Sequence, residues 1–222
     1  MAEKNLRDEL DAATTDRRLL EHPFYKAWAE GTLTRADLSF YAGQYWRQVE
    51  SFPGYLDNLA GRMDDGAPRT TIESNLADER DDDHPGLWKD FAAALGRDEK
   101  ALAVEGIEPE TAACVKSFGE ATGAASLPFA LGMLYAYESQ TPEVAETKIK
   151  GLREHYGIDG DPVRYFELHG ELDVEHSTEL AGALEEVIEG GDDRAEARAG
   201  ARAGAEAIWG LLDGVARVRG IG

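Results

Sequence analysis

Apolar residues recur at helical spacing through nearly the whole chain. The pattern predicts amphipathic helices at about 4–17, 22–30, 34–48, 50–63, 68–80, 86–95, 109–122, 126–140, 142–156, 161–189 and 192–218. No alternating apolar and polar run is long enough to compete as a strand. The breaks carry the expected chemistry: Thr34 and Asp161 suit N-caps, Pro142 and Pro162 suit first turns, and Gly96, Gly123 and Gly157 suit C-termini. The segment Ser126 to Glu138 is apolar on every face, so its helix is expected at the centre of the core. Arg194 to Ala207 is low in complexity. Its alanines are strong helix formers, and Ile208, Trp209, Leu211, Leu212 and Val215 extend an apolar stripe, which predicts a docked C-terminal helix. The fold class is therefore all-α, a helical bundle.

Composition narrows the picture. The 222 residues are enough for one sizeable core, and no linker-like stretch interrupts them, so residues 1–222 are expected to form a single domain. The chain lacks an apolar run of membrane-spanning length and starts with charged residues, which predicts a soluble, cytoplasmic protein. A net charge of -21, from 44 acidic against 23 basic residues, repels phosphate backbones and anionic lipid, so neither nucleic acid nor membrane is an expected partner. The cations are 7 lysines and 16 arginines, and such an acidic, lysine-poor surface suits a salt-rich, halophilic cytoplasm. The single cysteine, Cys114, lies on a predicted amphipathic helix and reads as a small core residue.

Candidate chemistry is concentrated in few residues. His169, Asp173 and His176 stand at i, i+4 and i+7, so one helix face presents two of the five histidines with a carboxylate between them. That donor mixture suits iron, manganese or zinc; calcium or magnesium would take oxygen donors almost alone. Spacing alone also allows a solvated polar face. Glu138 ends the most apolar helix, where a buried carboxylate needs a cation, a metal or a proton; the bland reading leaves it solvated beside Ser139 and Gln140. Glu79 and His84 would diverge by about 140° on a continuous helix and can converge only if the chain turns between them. The run Asp81-Asp82-Asp83 before Pro85 allows that turn. Glu79, His84, Glu138, His169, Asp173 and His176 together could hold two metal ions, as carboxylates and histidines projecting inward do in dinuclear helical bundles.

An ordered series of motifs runs from about residue 15 to 190: His22-Pro-Phe-Tyr-Lys-Ala-Trp28, Tyr41-Ala-Gly-Gln-Tyr45, Ser51-Phe-Pro-Gly-Tyr-Leu56, Asn75-Leu-Ala-Asp-Glu79, His84-Pro-Gly-Leu-Trp88, Tyr135-Ala-Tyr-Glu138, Pro142-Glu-Val-Ala-Glu-Thr-Lys148, and the histidine cluster. The series resembles the heme-oxygenase-like di-metal oxidases, and within them the subgroup of the chlamydial death-domain-associating protein. The resemblance implies a bundle of seven core helices without heme, holding Fe/Fe or Fe/Mn and using dioxygen and a reductant. It further implies synthesis of para-aminobenzoate for folate from the protein's own tyrosine, each molecule acting once. Carried over by motif, Tyr25 would be the sacrificed side chain and Lys148 the nitrogen donor, with Tyr41 and Tyr137 as relays for an electron or radical. The electron donor is external and unspecified, and a homodimer is allowed. The turn between Glu79 and His84 is shorter than the family's.

Residue by residue, blander readings stand beside these. Lys148 could be a surface cation near Glu143 and Glu146, Tyr25 a boundary hydroxyl, and Tyr41 with Tyr45 simple core stacking. Rival activities on the same fold fit less well. A thiaminase-like branch needs a cysteine near Leu127-Pro128-Phe129, where none occurs, and a branch resembling the final oxidase of pyrroloquinoline quinone synthesis surrounds an anionic substrate with basic residues. A di-iron oxidase of a diffusible substrate is the nearer rival, and an interaction module is the alternative from outside enzymology.

Overall fold

The structure, a computed structural model, describes residues 5–104 and 106–222, and among them every regular element is helical. The α-helices are α1 (Leu6–Thr14), α2 (Pro23–Ala29), α3 (Arg35–Ala60), α4 (Ala67–Asp81), α5 (His84–Ala94), α6 (Glu99–Val104), α7 (Pro109–Ala124), α8 (Leu127–Glu138), α9 (Thr141–Gly151), α10 (Arg164–Val187) and α11 (Gly191–Arg219). Short 3₁₀ turns at Thr15–Arg17, Leu19–Glu21 and Asp161–Val163, and a wider π-type turn at Leu152–Tyr156, join them.

Most predicted boundaries agree within a few residues, and the exceptions have physical causes. The expected break near residue 49 is absent: α3 continues through Pro53. A mid-helix proline removes one backbone hydrogen bond, yet Tyr41, Tyr45, Val49, Phe52 and Leu56 are all buried along this helix, and that packing outweighs the loss. Asp161 opens a 3₁₀ turn instead of capping a helix, because Gly160 at φ 73° takes the cap position. Helix α6 was not legible, since six residues with only Leu102 buried are too short to show a period. The predicted start of the first helix at Lys4 lies outside the described residues.

Thr34 is the N-cap of α3, its hydroxyl accepting from the Asp37 N–H while Asp37 reaches back to the Thr34 N–H. Helix α8 lies at the centre, with ten of its twelve residues buried. It packs against α11, α10 and α7. A Cβ on Gly132 would collide with the Ala197 carbonyl, and one on Gly200 with the Phe129 carbonyl, so α8 and α11 touch backbone to backbone. The alanine- and glycine-rich run that looks low in complexity is thus a packing surface, and the C-terminal helix is docked as expected. One continuous apolar cluster extends from Leu6 to Val215. Cys114 lies within it. Among the described residues, no helix is long and apolar enough to cross a membrane.

Candidate metal centre

Four helices direct the six candidate ligands inward. Glu79 comes from the last turn of α4, His84 from the first residue of α5, Glu138 from the end of α8, and His169, Asp173 and His176 from α10. All six are buried. The chain turns between Glu79 and His84 through Asp83, whose left-handed φ of 47° closes the corner and whose carboxylate accepts from the Gly86 N–H. Glu138 is 1% exposed, which rules out its solvated reading.

One half of the cluster is compact. Glu79, His84 and His169 each present a donor atom within 4.8 Å of the other two. Glu79 Oε1 stands 2.9 Å from His84 Nδ1 and 3.8 Å from His169 Nε2, while the two imidazole rings tilt against each other at 4.5 Å. His84 Nδ1 is close to the carboxylate but lacks hydrogen-bond geometry, and His84 Nε2 also has no partner. On the other half, His176 Nδ1 lies 3.5 Å from Asp173 Oδ1, and Glu138 feels the charges of both. Glu138 Oε2 and Asp173 Oδ2 are buried without hydrogen-bond partners.

Orphaned donors are costly in a core, because a buried polar atom without a partner loses its hydration for nothing. Nitrogen and oxygen donors converging in this way fit a transition metal. The electrostatics agree. Burial pushes Glu79 up, but the nearby His169 and His84 imidazoles outweigh it and hold the carboxyl down to about 2. Burial, then the charge of Asp173, push Glu138 up to about 8. Burial disfavours the His176 cation, yet Asp173, Glu138 and Asp78 outweigh it and raise the pKa to about 9. A bound cation would resolve this crowding by replacing protons.

Beside the cluster is a buried aromatic pocket. Lys148 is 4% exposed, so its surface reading fails; its Nζ donates to the Tyr41 hydroxyl at 2.8 Å. The ammonium position lies 5.2 Å from the centre of the Tyr25 ring and 4.9 Å from that of Phe166. Burial lowers the Lys148 pKa to about 7, leaving much of the amine neutral near neutral pH. Tyr25 and Tyr41 approach at 3.3 Å between hydroxyls, as do Tyr45 and Tyr137. Burial pushes all four phenols up, so they stay protonated at ordinary pH. The Trp28 indole N–H donates to the Lys148 carbonyl at 3.2 Å, and α9 approaches Trp28 closely because residue 151 is glycine. His22 explains its motif: Nδ1 accepts from the Phe24 N–H as cap of α2, the helix that carries Tyr25.

A cavity of about 20 Å³, room for one water, touches Tyr25, Tyr45, Tyr137, Lys148, Tyr165 and His169. A groove of about 780 Å³ between α9 and α10 is open to solvent and is lined by none of the six candidate ligands. Tyr165 escaped the sequence reading. Its ring stacks on His169 at 4.1 Å, and its carbonyl lies 2.8 Å from His169 Nδ1. The signal was its place four residues before His169 on the same stripe.

Residues 39–209 match the family described as iron-containing redox enzymes. The chain belongs to that family. It is 36% identical to the 4-aminobenzoate synthase of Nitrosomonas europaea over 97% of this chain and 92% of that one. To the 4-aminobenzoate synthase of Chlamydia muridarum it is 37% identical over 94% and 89% of the two chains. A TenA homologue of Pseudomonas syringae superposes with a TM-score of 0.85 at 18% identity, covering 96% of this chain and 93% of the other, which establishes the heme-oxygenase-like fold. Family and fold agree with the resemblance found in the sequence. This is a metal-dependent oxidoreductase whose buried Glu79, His84 and His169 suit a metal ion.

Proposed function

We propose that this protein makes 4-aminobenzoate from its own Tyr25, with Lys148 as nitrogen donor and two metal ions, Fe/Fe or Fe/Mn, held by Glu79, His84, Glu138, His169, Asp173 and His176. The observation that carries the reading is the close packing of Tyr25, Lys148 and His169 around a cavity of only about 20 Å³, room for one water. A ring supplied by the protein needs no room for a substrate, and Tyr25 already has six ring carbons with an oxygen para to Cβ, the carbon that would become the carboxyl once the Cα–Cβ bond is broken. The names of the relatives in Nitrosomonas and Chlamydia support the same product.

Iron at the centre would supply dioxygen activation and one-electron oxidation, with a reductant as co-substrate. The chain's own residues do the rest. Burial keeps Tyr25 neutral, so an electron can leave only with its proton, and the Tyr41 hydroxyl at 3.3 Å is placed to share that proton. Lys148 donates to Tyr41 when charged; once neutral, its lone pair can add to the oxidised ring at the carbon bearing the phenolic oxygen, which leaves as water, while dioxygen would be the oxidant for breaking the Lys148 Cε–Nζ and Tyr25 Cα–Cβ bonds that free the product. Tyr137, Tyr45 and Tyr165 join the His169 side of the pocket to the Tyr25 side and can relay an electron. Packed aromatic walls exclude bulk water from the oxidised ring. The continuous core supports treating residues 1–222 as one unit, with an external electron donor and a salt-rich cytoplasm as its setting.

The test is mass spectrometry of filtrate and peptides after anaerobic Fe(II) loading followed by oxygen and a reductant at high salt. The reading expects 4-aminobenzoate in the filtrate, with matching mass changes at Tyr25 and Lys148. Intact residues and an empty filtrate in iron-loaded protein would refute it.

A further inference from the structure

We propose that Asn75 and Asp78 are positioning residues that select which atoms of Glu138 and His176 face the metal. The inference rests on the two-metal reading above. Helix α4 presents Asn75, Asp78 and Glu79 at i, i+3 and i+4, a single fan of side chains aimed at α8 and α10. Glu79 is a candidate ligand of the compact half. Its two neighbours reach past it to the other half.

Asn75 Nδ2 donates to Glu138 Oε1 at 2.8 Å, which fixes the carboxylate rotation and leaves buried Oε2 as the atom without a partner. Asp78 Oδ2 lies 3.0 Å from His176 Nε2. A carboxylate there accepts a hydrogen bond from Nε2–H, so the neutral imidazole keeps its lone pair on Nδ1, the nitrogen 3.5 Å from Asp173 Oδ1. His169 is arranged the opposite way. Its Nδ1 faces the Tyr165 carbonyl at 2.8 Å, so Nε2 is the nitrogen turned toward Glu79. The two histidines of one helix therefore offer different nitrogens, and that lets side chains seven residues apart serve two neighbouring positions. The Asp78 side chain is 42% exposed, so it joins this buried shell to solvent.

The experiment is anaerobic calorimetric titration of full-length protein with Fe(II), comparing wild type with Asp78→Ala, Asp78→Asn and Asn75→Ala. Wild type should take up two equivalents. Asp78→Ala and Asn75→Ala should keep one equivalent at wild-type affinity and bind the second about 10- to 100-fold more weakly. Asp78→Asn, whose amide oxygen still accepts from Nε2–H, should recover most of that loss. Two equivalents bound at unchanged affinity in the alanine variants would overturn the assignment, as would equal weakening of both sites, the mark of a merely structural role. Fewer than two equivalents in wild type would overturn the two-metal reading, and this assignment with it. Asp78 is at the surface, so its variants decide the matter even if Asn75→Ala fails to fold.

Discussion

The Lys148 amine stands 5.2 Å from the centre of the Tyr25 ring, with both side chains buried against Tyr41. No carboxylate among the described residues pairs with this lysine, so it costs stability whenever it is charged. A core that keeps it needs the amine for something other than folding.

Replacing it should separate the two effects. Lys148→Met keeps the volume and removes the amine, so product should vanish while stability at pH 7 is unchanged or rises by up to about 4 kcal/mol. The sign of the pH dependence follows from a folded pKa near 7 against 10.5 unfolded. The unfolded chain binds the extra proton between those values, so wild type gains stability as pH rises from 7 to 10.5 and the variant's advantage shrinks. Denaturant melts of both proteins across that range check this; a constant difference would contradict it.

Metal loading should expel protons. Glu138, raised to about 8, and His176, raised to about 9, both carry a proton at pH 7 in the metal-free protein. As ligands they must lose it. Calorimetry in buffers of different ionisation enthalpy should show net release at pH 7 that fades by about pH 9.5. Heats independent of buffer at pH 7 would count against these two as ligands.

The same shifts govern stability without metal. Both folded pKa values lie above their unfolded ones of 4.5 and 6.5, so this contribution is complete at low pH, shrinks as pH rises from 4.5 to about 8 for Glu138 and from 6.5 to about 9 for His176, and is gone above that. Metal-loaded protein should not share that loss. At a free metal concentration 100 times Kd it should also be more stable by about 2.7 kcal/mol, which scanning calorimetry reads as a rise in Tm of roughly 5–11 °C.

Gly132→Val should be among the most damaging single changes in the fold. The new side chain meets the Ala197 carbonyl across the α8–α11 contact. A cost of about 1–3 kcal/mol or more is expected by chemical denaturation. Because Glu138 lies less than two turns further along α8, iron affinity should fall as well.

The charge of -21 predicts a salt requirement. Molar KCl screens repulsion to within a few ångströms, so the melting temperature should rise from dilute buffer to molar KCl. A protein equally stable in both would remove the halophilic setting.

The pattern of apolar positions made the bundle legible, because helical periodicity and cap chemistry are local properties. It failed where distant contacts decide: nothing near Pro53 reveals that α3 is packed tightly enough to run straight through it. The α10 triad was legible too, since i, i+4 and i+7 lie on one face of any helix. Glu79 with His84 was legible only as a condition, that the chain turn, and Asp83 supplies that turn.

By itself the sequence determined the all-α class and the buried position of α8, and it nominated the candidates for metal and redox chemistry. Those follow from periodicity, composition and motif. Only the tertiary structure decided that Lys148 faces inward to Tyr25 instead of outward to Glu143, that Tyr165 stacks on His169, and that Asn75 and Asp78 address Glu138 and His176 from another helix. A helix has several faces, and which one meets which neighbour depends on how all the helices pack at once; no local stretch of sequence contains that information.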